Sequence, residues 1–247
     1  MQYLVAIPVF NEAKTLRGVL QQVRRYARDI LIVDDCSTDD TPRLLKAESG
    51  LAIIRHLDNR GYGQSLTDAF KYAQAAGYDW LITMDCDEQH EPAHIPDFLR
   101  AAAEDDADII SGSRYLRHIE GNSHPPADRQ AINQEITDLL NELPGLNLTD
   151  AFCGFKAYRV ASLARLTITV PGYGMPLQFW VQAARVGLRI REIPVRLIYN
   201  NPSRHFGGSL DDPDKRLLYY YEVLVHEFAY WARDSDSRPL HAEQRQR

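Results

Sequence analysis

Cysteine is scarce in this sequence: Cys36, Cys86 and Cys153 are the only three in 247 residues, an odd and widely spaced set. That excludes a disulfide framework and points to a reducing compartment. Long hydrophobic runs are also missing; the longest apolar stretches are strand-sized, well short of the roughly 20 residues that cross a bilayer. The start, Met1-Gln2-Tyr3-Leu4, has no basic n-region, so no signal peptide is expected. An excess of positive charge is absent as well, with 28 Lys+Arg against 34 Asp+Glu, a formal charge of −6, and no local basic stripe. Nucleic acid is therefore not an expected partner. With 45% hydrophobic and 25% charged residues the chain is not disordered. A cytoplasmic globular protein with ample core remains.

Two periodicities alternate through the first half. Residues 3–7 form a short apolar run stopped by Pro8, which predicts a buried strand. Asn11 is placed to cap a helix in which Leu16, Val19, Leu20 and Val23 recur at helical spacing. Residues 30–33 predict a second strand ended by Asp34-Asp35, and Pro42 suits the first turn of the next helix. A third strand at 51–54 is followed by a helix that Gly61-Tyr62-Gly63 opens and Gly77 closes. Residues 81–84 and 107–110 are the fourth and fifth strands. The pattern predicts an α/β fold with a mostly parallel sheet covered on both faces. Ligands on such sheets sit beyond the carboxyl ends of the strands, and acidic residues dominate those exits.

The second half is less regular. Residues 115–128 read as a mobile loop, 129–140 as a helix, 152–160 as a strand, 175–186 as a helix and 188–199 as extended chain. Residues 200–213 hold Pro202, Gly207, Gly208 and Pro213 and read as a lid. An amphipathic helix is expected over 215–231, and residues 234–247 read as a frayed tail.

Asp85-Cys86-Asp87-Glu88-Gln89 is the sharpest chemical feature. A turn at a strand exit aims alternate side chains, here Asp85, Asp87 and Gln89, towards one point. Two carboxylates and an amide oxygen are hard ligands suited to Mg²⁺ or Mn²⁺, which keep positions open for phosphate oxygens. Three look-alikes fail. His90-Glu91-Pro92-Ala93-His94 matches the zinc-protease pattern in letters, but Pro92 prevents one continuous helix from carrying both histidines. The acidic run lacks the glycine and the last glutamate of a calcium loop, and Gly61-Tyr62-Gly63 lacks the third glycine of a dinucleotide fingerprint. Cys153, with no paired base visible in the sequence, reads as a small buried residue.

The strand exits occur in the order seen in glycosyltransferase family 2. Pro8-Val9-Phe10-Asn11-Glu12, Val33-Asp34-Asp35-Cys36-Ser37-Thr38-Asp39, Asn59-Arg60-Gly61-Tyr62-Gly63 and the Asp85–Gln89 run are followed by Gly112-Ser113-Arg114-Tyr115 and Asp150-Ala151-Phe152-Cys153-Gly154-Phe155-Lys156. The later segments, with Arg189–Val195, resemble its polyprenol-phosphate branch, the dolichol-phosphate mannose synthase-like proteins. The resemblance implies a Rossmann-like GT-A domain over residues 1–233: a nucleotide-sugar half (1–115), an acceptor half (116–212) and a C-terminal amphipathic helix (213–233).

It further implies inverting, metal-dependent transfer from a UDP- or GDP-linked sugar to an acceptor, a polyprenyl phosphate reached from the inner face of a membrane. By position Pro8, Phe10, Glu12, Val33, Asp35, Arg60, Cys86 and Arg114 would meet the donor, and Asp85, Asp87 and Gln89 the cation. Arg204 in Arg204-His205-Phe206-Gly207-Gly208-Ser209 would meet a phosphate. A phosphate acceptor is already an anion; a hydroxyl acceptor would need a base, for which Asp150 is the candidate. The chain departs from the family at Leu210, where a lysine is expected, and at Gln178, where a glutamate is expected near the acceptor. Those departures motivate a second reading, a nucleotide-sugar-binding protein without turnover.

Overall fold

Successive residues of the central strands separate onto two faces, each covered by its own set of helices. In β1 (Tyr3–Val9), Leu4 and Ala6 join one apolar layer while Val5, Ile7 and Val9 join the other. The same alternation divides β2 (Ile30–Asp34) and β4 (Trp80–Thr83). Strands buried on both sides must read as continuous apolar runs, which is why their sequences lack polar alternation. One layer holds α3 (Tyr62–Ala75), α5 (Ala127–Leu140), the short α6 (Val160–Leu163), α7 (Met175–Arg185) and α8 (Pro213–Ser237). The other holds α1 (Leu16–Val23), α2 (Thr41–Ala47) and α4 (Ile95–Ala103).

The computed structural model describes residues 1–199 and 206–237. Its seven-stranded sheet has the order β3-β2-β1-β4-β6-β5-β7, with β3 at Ala52–Arg55, β5 at Ile109–Ser113, β6 at Lys156–Arg159 and β7 at Ile190–Pro194. Every pairing is parallel except the two made by β6, which runs antiparallel between β4 and β5. The reversal has one large consequence. The start of β6, unlike that of any other strand, lies at the carboxyl rim, so residues 150–156 arrive where the other strands end.

The expected fifth strand lies two residues later, at Ile109–Ser113, and the 152–160 strand shrinks to four residues because the chain turns through Gly154 before pairing. Asn11 does not cap α1. It adopts a left-handed conformation (φ 59°), and its Oδ1 accepts the amides of Thr38 and Asp39 at 2.8 and 3.2 Å. The Asn11 amide itself donates to Ser37 Oγ at 2.9 Å. It therefore fastens the β1 exit to the β2 exit. Residues 115–126 lack regular structure but are tied to the chain beyond β7 by Ser123 N–H to Leu197 O (2.8 Å) and Leu197 N–H to Asn122 Oδ1 (3.1 Å). The final helix starts where Asp212 Oδ1 accepts the amides of Asp214 and Lys215, with Pro213 in its first turn. It runs to Ser237, past the expected end. Residues 200–205, the first part of the expected lid, and the tail beyond 237 lie outside the described residues. Gly208–Asp211 of that loop forms a 3₁₀ turn in place of open loop. Among the described residues no helix is long and apolar enough to cross a membrane.

Gly61 and Gly63 seat α3 against the segment that precedes α7. Gly61 has φ 95°, and Gln64 N–H donates to Pro171 O at 2.9 Å. A Cβ on Gly63 would stand 2.5 Å from Val170 O and 2.6 Å from Met175 Cβ. Gly63→Ala is expected to lower stability by about 1–3 kcal/mol, the usual cost of overpacking, measured by urea denaturation. A loss below about 0.5 kcal/mol, the ordinary range of surface changes, would show that the two segments are not tightly packed.

Candidate active site

A cavity of about 990 Å³ opens at the carboxyl rim of the sheet. Pro8, Phe10, Glu12, Asp35, Asp85, Cys86, Asp87 and Arg114 all line it, so four separate strand exits meet there. Val33, Arg60, Gln89 and Asp150 are not among the lining residues, and Arg204 lies outside the described residues. Val33 is sealed in the core on the α3 side of the sheet. Arg60 is exposed and reaches Asp68 with its guanidinium (3.4 Å), while its amide donates to Asp35.

At one end of the cavity two adjacent aspartates serve different purposes. Asp34 is fully buried and structural: its Oδ1 accepts the Ser37 amide at 2.9 Å and Arg55 Nε lies 3.3 Å from its Oδ2. Asp35 faces the cavity. Its Oδ1 accepts the Arg60 amide (2.7 Å) and meets His56 Nδ1 (2.6 Å), and its Oδ2 accepts the Gly61 amide (2.8 Å). Three contacts leave part of the Oδ2 acceptor capacity for a ligand.

At the centre lie Asp85 and Asp87. Tyr62 donates its hydroxyl to Asp85 Oδ1 at 3.1 Å. Burial, and then the Asp85 charge, push the phenol's pKa up, so it stays protonated and donating. Asp87 is buried, and its Oδ1 accepts the Gln89 amide at 3.0 Å. Gln89 thus orients Asp87 through its backbone. His90 Nδ1 accepts the Asp85 amide (3.0 Å), and its ring stacks on Phe155. The 3₁₀ turn at Pro92–His94 begins after His90, and His94 turns to Asp97 (2.8 Å), so the two histidines are not a zinc pair. Among the described residues no three His, Cys, Asp or Glu side chains form a metal cage. Two carboxylates still suit a hard cation that takes its other ligands from phosphate and water. The chain keeps space for it: a Cβ on Gly154 would sit 2.8 Å from Asp85 Oδ2 and from Tyr62 Oη.

The far end is built from the second half of the chain. Arg114 leaves β5 and grips Asp150 through two parallel bonds, Nε to Oδ2 at 2.6 Å and Nη2 to Oδ1 at 2.8 Å. Asn133 Nδ2 adds a third at 2.8 Å. Burial alone would raise the Asp150 pKa, but the Arg114 charge and these bonds hold it at about 2. A carboxylate this buried and this well paired does not fit the role of general base. Lys156, at the start of β6, is buried, donates to the Cys153 carbonyl and lies 5.3 Å from the Trp180 ring centre; burial lowers its pKa. Arg129 of α5 and Arg216 of α8 sit 4.7 and 4.8 Å from the ring of Phe206. Arg216 also donates to Leu210 O (2.9 Å) and Asp128 Oδ2 (2.7 Å).

The two departures take on a different meaning here. At Leu210 the side-chain cation is missing, yet Arg216 bonds that residue's own carbonyl. Gln178 does not line the cavity. It is buried, accepts the Thr169 and Val170 amides (2.7 and 2.8 Å) and donates to Glu227 Oε1 (2.5 Å). A glutamate there would face Glu227 with like charge, so the amide answers a packing need.

Lys14 apart, charge is segregated along the cavity. Among the described lining residues, every acid (Glu12, Asp35, Asp39, Asp85, Asp87 and Glu88) comes from the first 88 positions. The chain beyond residue 113 supplies Arg114, Arg129, Lys156 and Arg216 and no acid. The sequence reading missed the last three. Lys156 ends the Asp150–Lys156 run without a role marked for it, and Arg129 and Arg216 stand in helical pattern with no motif beside them.

These observations meet the comparisons with known proteins. The sequence profile of glycosyl transferase family 2 matches residues 4–167. The undecaprenyl-phosphate mannosyltransferase of Micrococcus luteus is 30% identical over 209 residues, covering 80% of this chain and 84% of that protein. The UDP-N-acetylglucosamine–dolichyl-phosphate N-acetylglucosaminyltransferase of Methanococcus voltae is 26% identical over 227 residues, covering 84% and 90%. Glucosyl-3-phosphoglycerate synthase of Mycobacterium tuberculosis, solved with Mn²⁺, UDP and phosphoglyceric acid, superposes with a TM-score of 0.68 at 20% identity, over 92% of this chain and 78% of that one. That likeness gives the fold as GT-A, as the strand exits imply. From its first strand to the turn after α6, this chain belongs to glycosyl transferase family 2.

Proposed function

We propose that the protein is an inverting glycosyltransferase that moves a sugar from a UDP- or GDP-linked donor to a polyprenyl phosphate, with Mg²⁺ or Mn²⁺ bound at Asp85 and Asp87. The observation that carries this reading is the segregated charge of the cavity. Acids at the strand exits suit a nucleotide and its cation; cations at the other end, where the ion-pair partners Asp150 and Asp128 do not line the cavity, suit an acceptor that is itself an anion. A hydroxyl acceptor would need a carboxylate within reach, and Asp150 is occupied by Arg114. The names of the Micrococcus and Methanococcus relatives point to the same acceptor class. A lipid phosphate would bring the reaction to a membrane surface.

The chain's residues divide the task. Pro8, Phe10, Glu12, Asp35 and Cys86 receive the nucleoside end, with Asp35 fixed by the Arg60 and Gly61 amides. Asp85 and Asp87 would hold the cation. When bound, that ion is a Lewis acid that offsets charge developing on the leaving diphosphate. Arg129, Arg216 and Lys156 draw in the acceptor phosphate, and Arg204 is assigned to the same phosphate. Arg114 stays oriented by Asp150. The acceptor oxygen attacks the anomeric carbon opposite the diphosphate, which inverts the configuration, and no proton has to be removed. Tyr62, Tyr173 and Phe206 form an aromatic wall, with Tyr62 and Tyr173 stacked at 5.6 Å and Phe206 edge-on to Tyr173 at 5.2 Å. It keeps water from the activated sugar.

Incubation with UDP- and GDP-sugars, undecaprenyl phosphate and Mn²⁺ is expected to yield a lipid-linked sugar and free nucleoside diphosphate. Asp87→Asn is expected to reduce transfer at least about a hundredfold, since the cation supplies several kcal/mol, while circular dichroism stays unchanged. Full transfer in excess chelator, or a fully active Asp87→Asn protein, would refute the cation assignment.

Asp150 gives a separate prediction. Its pKa falls from 3.8 to about 2 on folding, so its ionised form contributes about 2 kcal/mol above pH 4. That contribution is lost as pH falls through about 2. Asp150→Asn at pH 7 leaves the half-buried Arg114 without its counter-ion and is expected to cost about 3 kcal/mol, the low end for a broken buried pair, in chemical denaturation. A variant as stable as the wild type, but inactive, would restore the base role.

A further inference from the structure

Asp85 and Asp87 are steadied in different ways. Asp87 accepts the Gln89 amide at 3.0 Å, a bond within its own turn. Asp85 takes its bond from another element: among the described residues, Tyr62 at the start of α3 supplies the one hydrogen bond to this carboxylate, Oη to Oδ1 at 3.1 Å. His90 Nδ1 stands 3.8 Å from Asp85 Oδ2, beyond hydrogen-bond reach. The phenol itself is clamped. Its ring stacks on Tyr173, with centres 5.6 Å apart and planes 16° from parallel, and Tyr173 meets Phe206 edge-on. The first turn of α3 is seated by Gln64 N–H on Pro171 O at 2.9 Å. Opposite, a Cβ on Gly154 would come within 2.8 Å of both Tyr62 Oη and Asp85 Oδ2, so that glycine leaves the pair its room.

We propose that Tyr62 is a positioning residue of the cation site: its hydroxyl fixes the Asp85 carboxylate about its last torsion, with one oxygen engaged and the other left for a divalent cation. This rests on reading Asp85 and Asp87 as that site. The chemistry of the donor matters as much as its place. Arg114 orients Asp150 but also cancels its charge, which suits a structural carboxylate. A phenol orients Asp85 and adds no charge of its own, so the carboxylate keeps its full attraction for a cation. A carboxylate held in place beforehand also loses less freedom when the ion arrives. The Asp85 side chain is 27% exposed, so water can take the place of a lost phenol. Removing the hydroxyl is therefore expected to loosen the ligand and not the fold.

The test compares the full chain with its Tyr62→Phe variant, which keeps the ring on Tyr173 and removes only the hydroxyl. Mn²⁺ is titrated into each protein with saturating UDP, and separately with GDP, and the free ion is read by electron paramagnetic resonance. Binding of Mn²⁺ by the nucleotide itself is common to both proteins and cancels in the ratio. Calorimetry measures nucleotide affinity without any cation. Tyr62→Phe is expected to bind Mn²⁺ about tenfold more weakly, the low end for losing a partner of a metal ligand, with its cation-free nucleotide affinity unchanged. Equal Mn²⁺ affinities would overturn the proposal. So would a loss of cation-free nucleotide affinity as large as the loss for Mn²⁺, because a merely structural role loosens both. Should Tyr62→Phe fail to fold, 3-fluorotyrosine placed at position 62 keeps ring and hydroxyl. Its fluorine resonance is expected to shift when Mg²⁺ joins the nucleotide complex, and a resonance that Mg²⁺ leaves unmoved would overturn the proposal. A wild type that binds no Mn²⁺ with either nucleotide would overturn the cation reading as well; one that binds it as Tyr62→Phe does removes Tyr62 alone.

Discussion

A fully buried carboxylate persists only if a cation and hydrogen-bond donors replace the water it has lost. Asp150 obtains the cation from Arg114, at the end of β5, and a donor from Asn133 of α5. The backbone around it is held in turn by Glu192 of β7, which accepts the Thr149 and Asp150 amides at 2.9 and 3.2 Å. This cluster ties β5, α5, β7 and the turn before β6 to one point. It thereby fixes the path by which residues 150–156 enter the sheet against the direction of its neighbours. Gly154 meets Asp85, and Lys156 enters the cavity, because that turn is held. The end of the cavity that carries the cations depends on it.

From this anchor follows the division of labour in the cavity. The parallel strands β1, β2 and β4 end in acidic loops that are cross-linked mainly by backbone amides, as at Asn11 and Asp35. Such loops offer fixed acceptors with little freedom to rearrange. Across from them, Arg129 and Arg216 reach in from two helices of the other half and share the ring of Phe206. A guanidinium on an aromatic face still turns N–H donors outward at its edge, as Arg216 does towards Leu210 and Asp128. One end therefore presents oxygen atoms and the other N–H donors.

The first half of the fold can be read from the sequence because its strands are buried on both faces and its helices carry regular apolar stripes. The exits at Pro8–Glu12, Asp34-Asp35 and Asp85–Asp87 are local in sequence, and they do converge. What could not be read depends on contacts between distant residues. Arg114 and Asp150 are 36 positions apart, and Arg216 and Asp128 are 88 apart. Neither motif nor periodicity marks such pairs. Asp150 looked like a base because its acidic side chain was visible and its partner was not. Gln178 looked like a lost catalytic group because its neighbour Glu227 lies on the last helix. Asn11 illustrates the local limit: Asn suits both a helix cap and a left-handed turn, and only the position of the β2 exit decides between them.

The central claim is that this site activates no hydroxyl and takes an acceptor that already carries its negative charge. It is tested most directly by offering the protein one nucleotide-sugar donor and two acceptors that differ only in the phosphate, undecaprenyl phosphate and undecaprenol. Both are presented in the same detergent with Mn²⁺, and the lipid-linked sugar is measured over time. The account predicts transfer to the phosphate and none above background to the alcohol. Comparable transfer to undecaprenol would mean that a base works in this cavity after all, and would contradict the account.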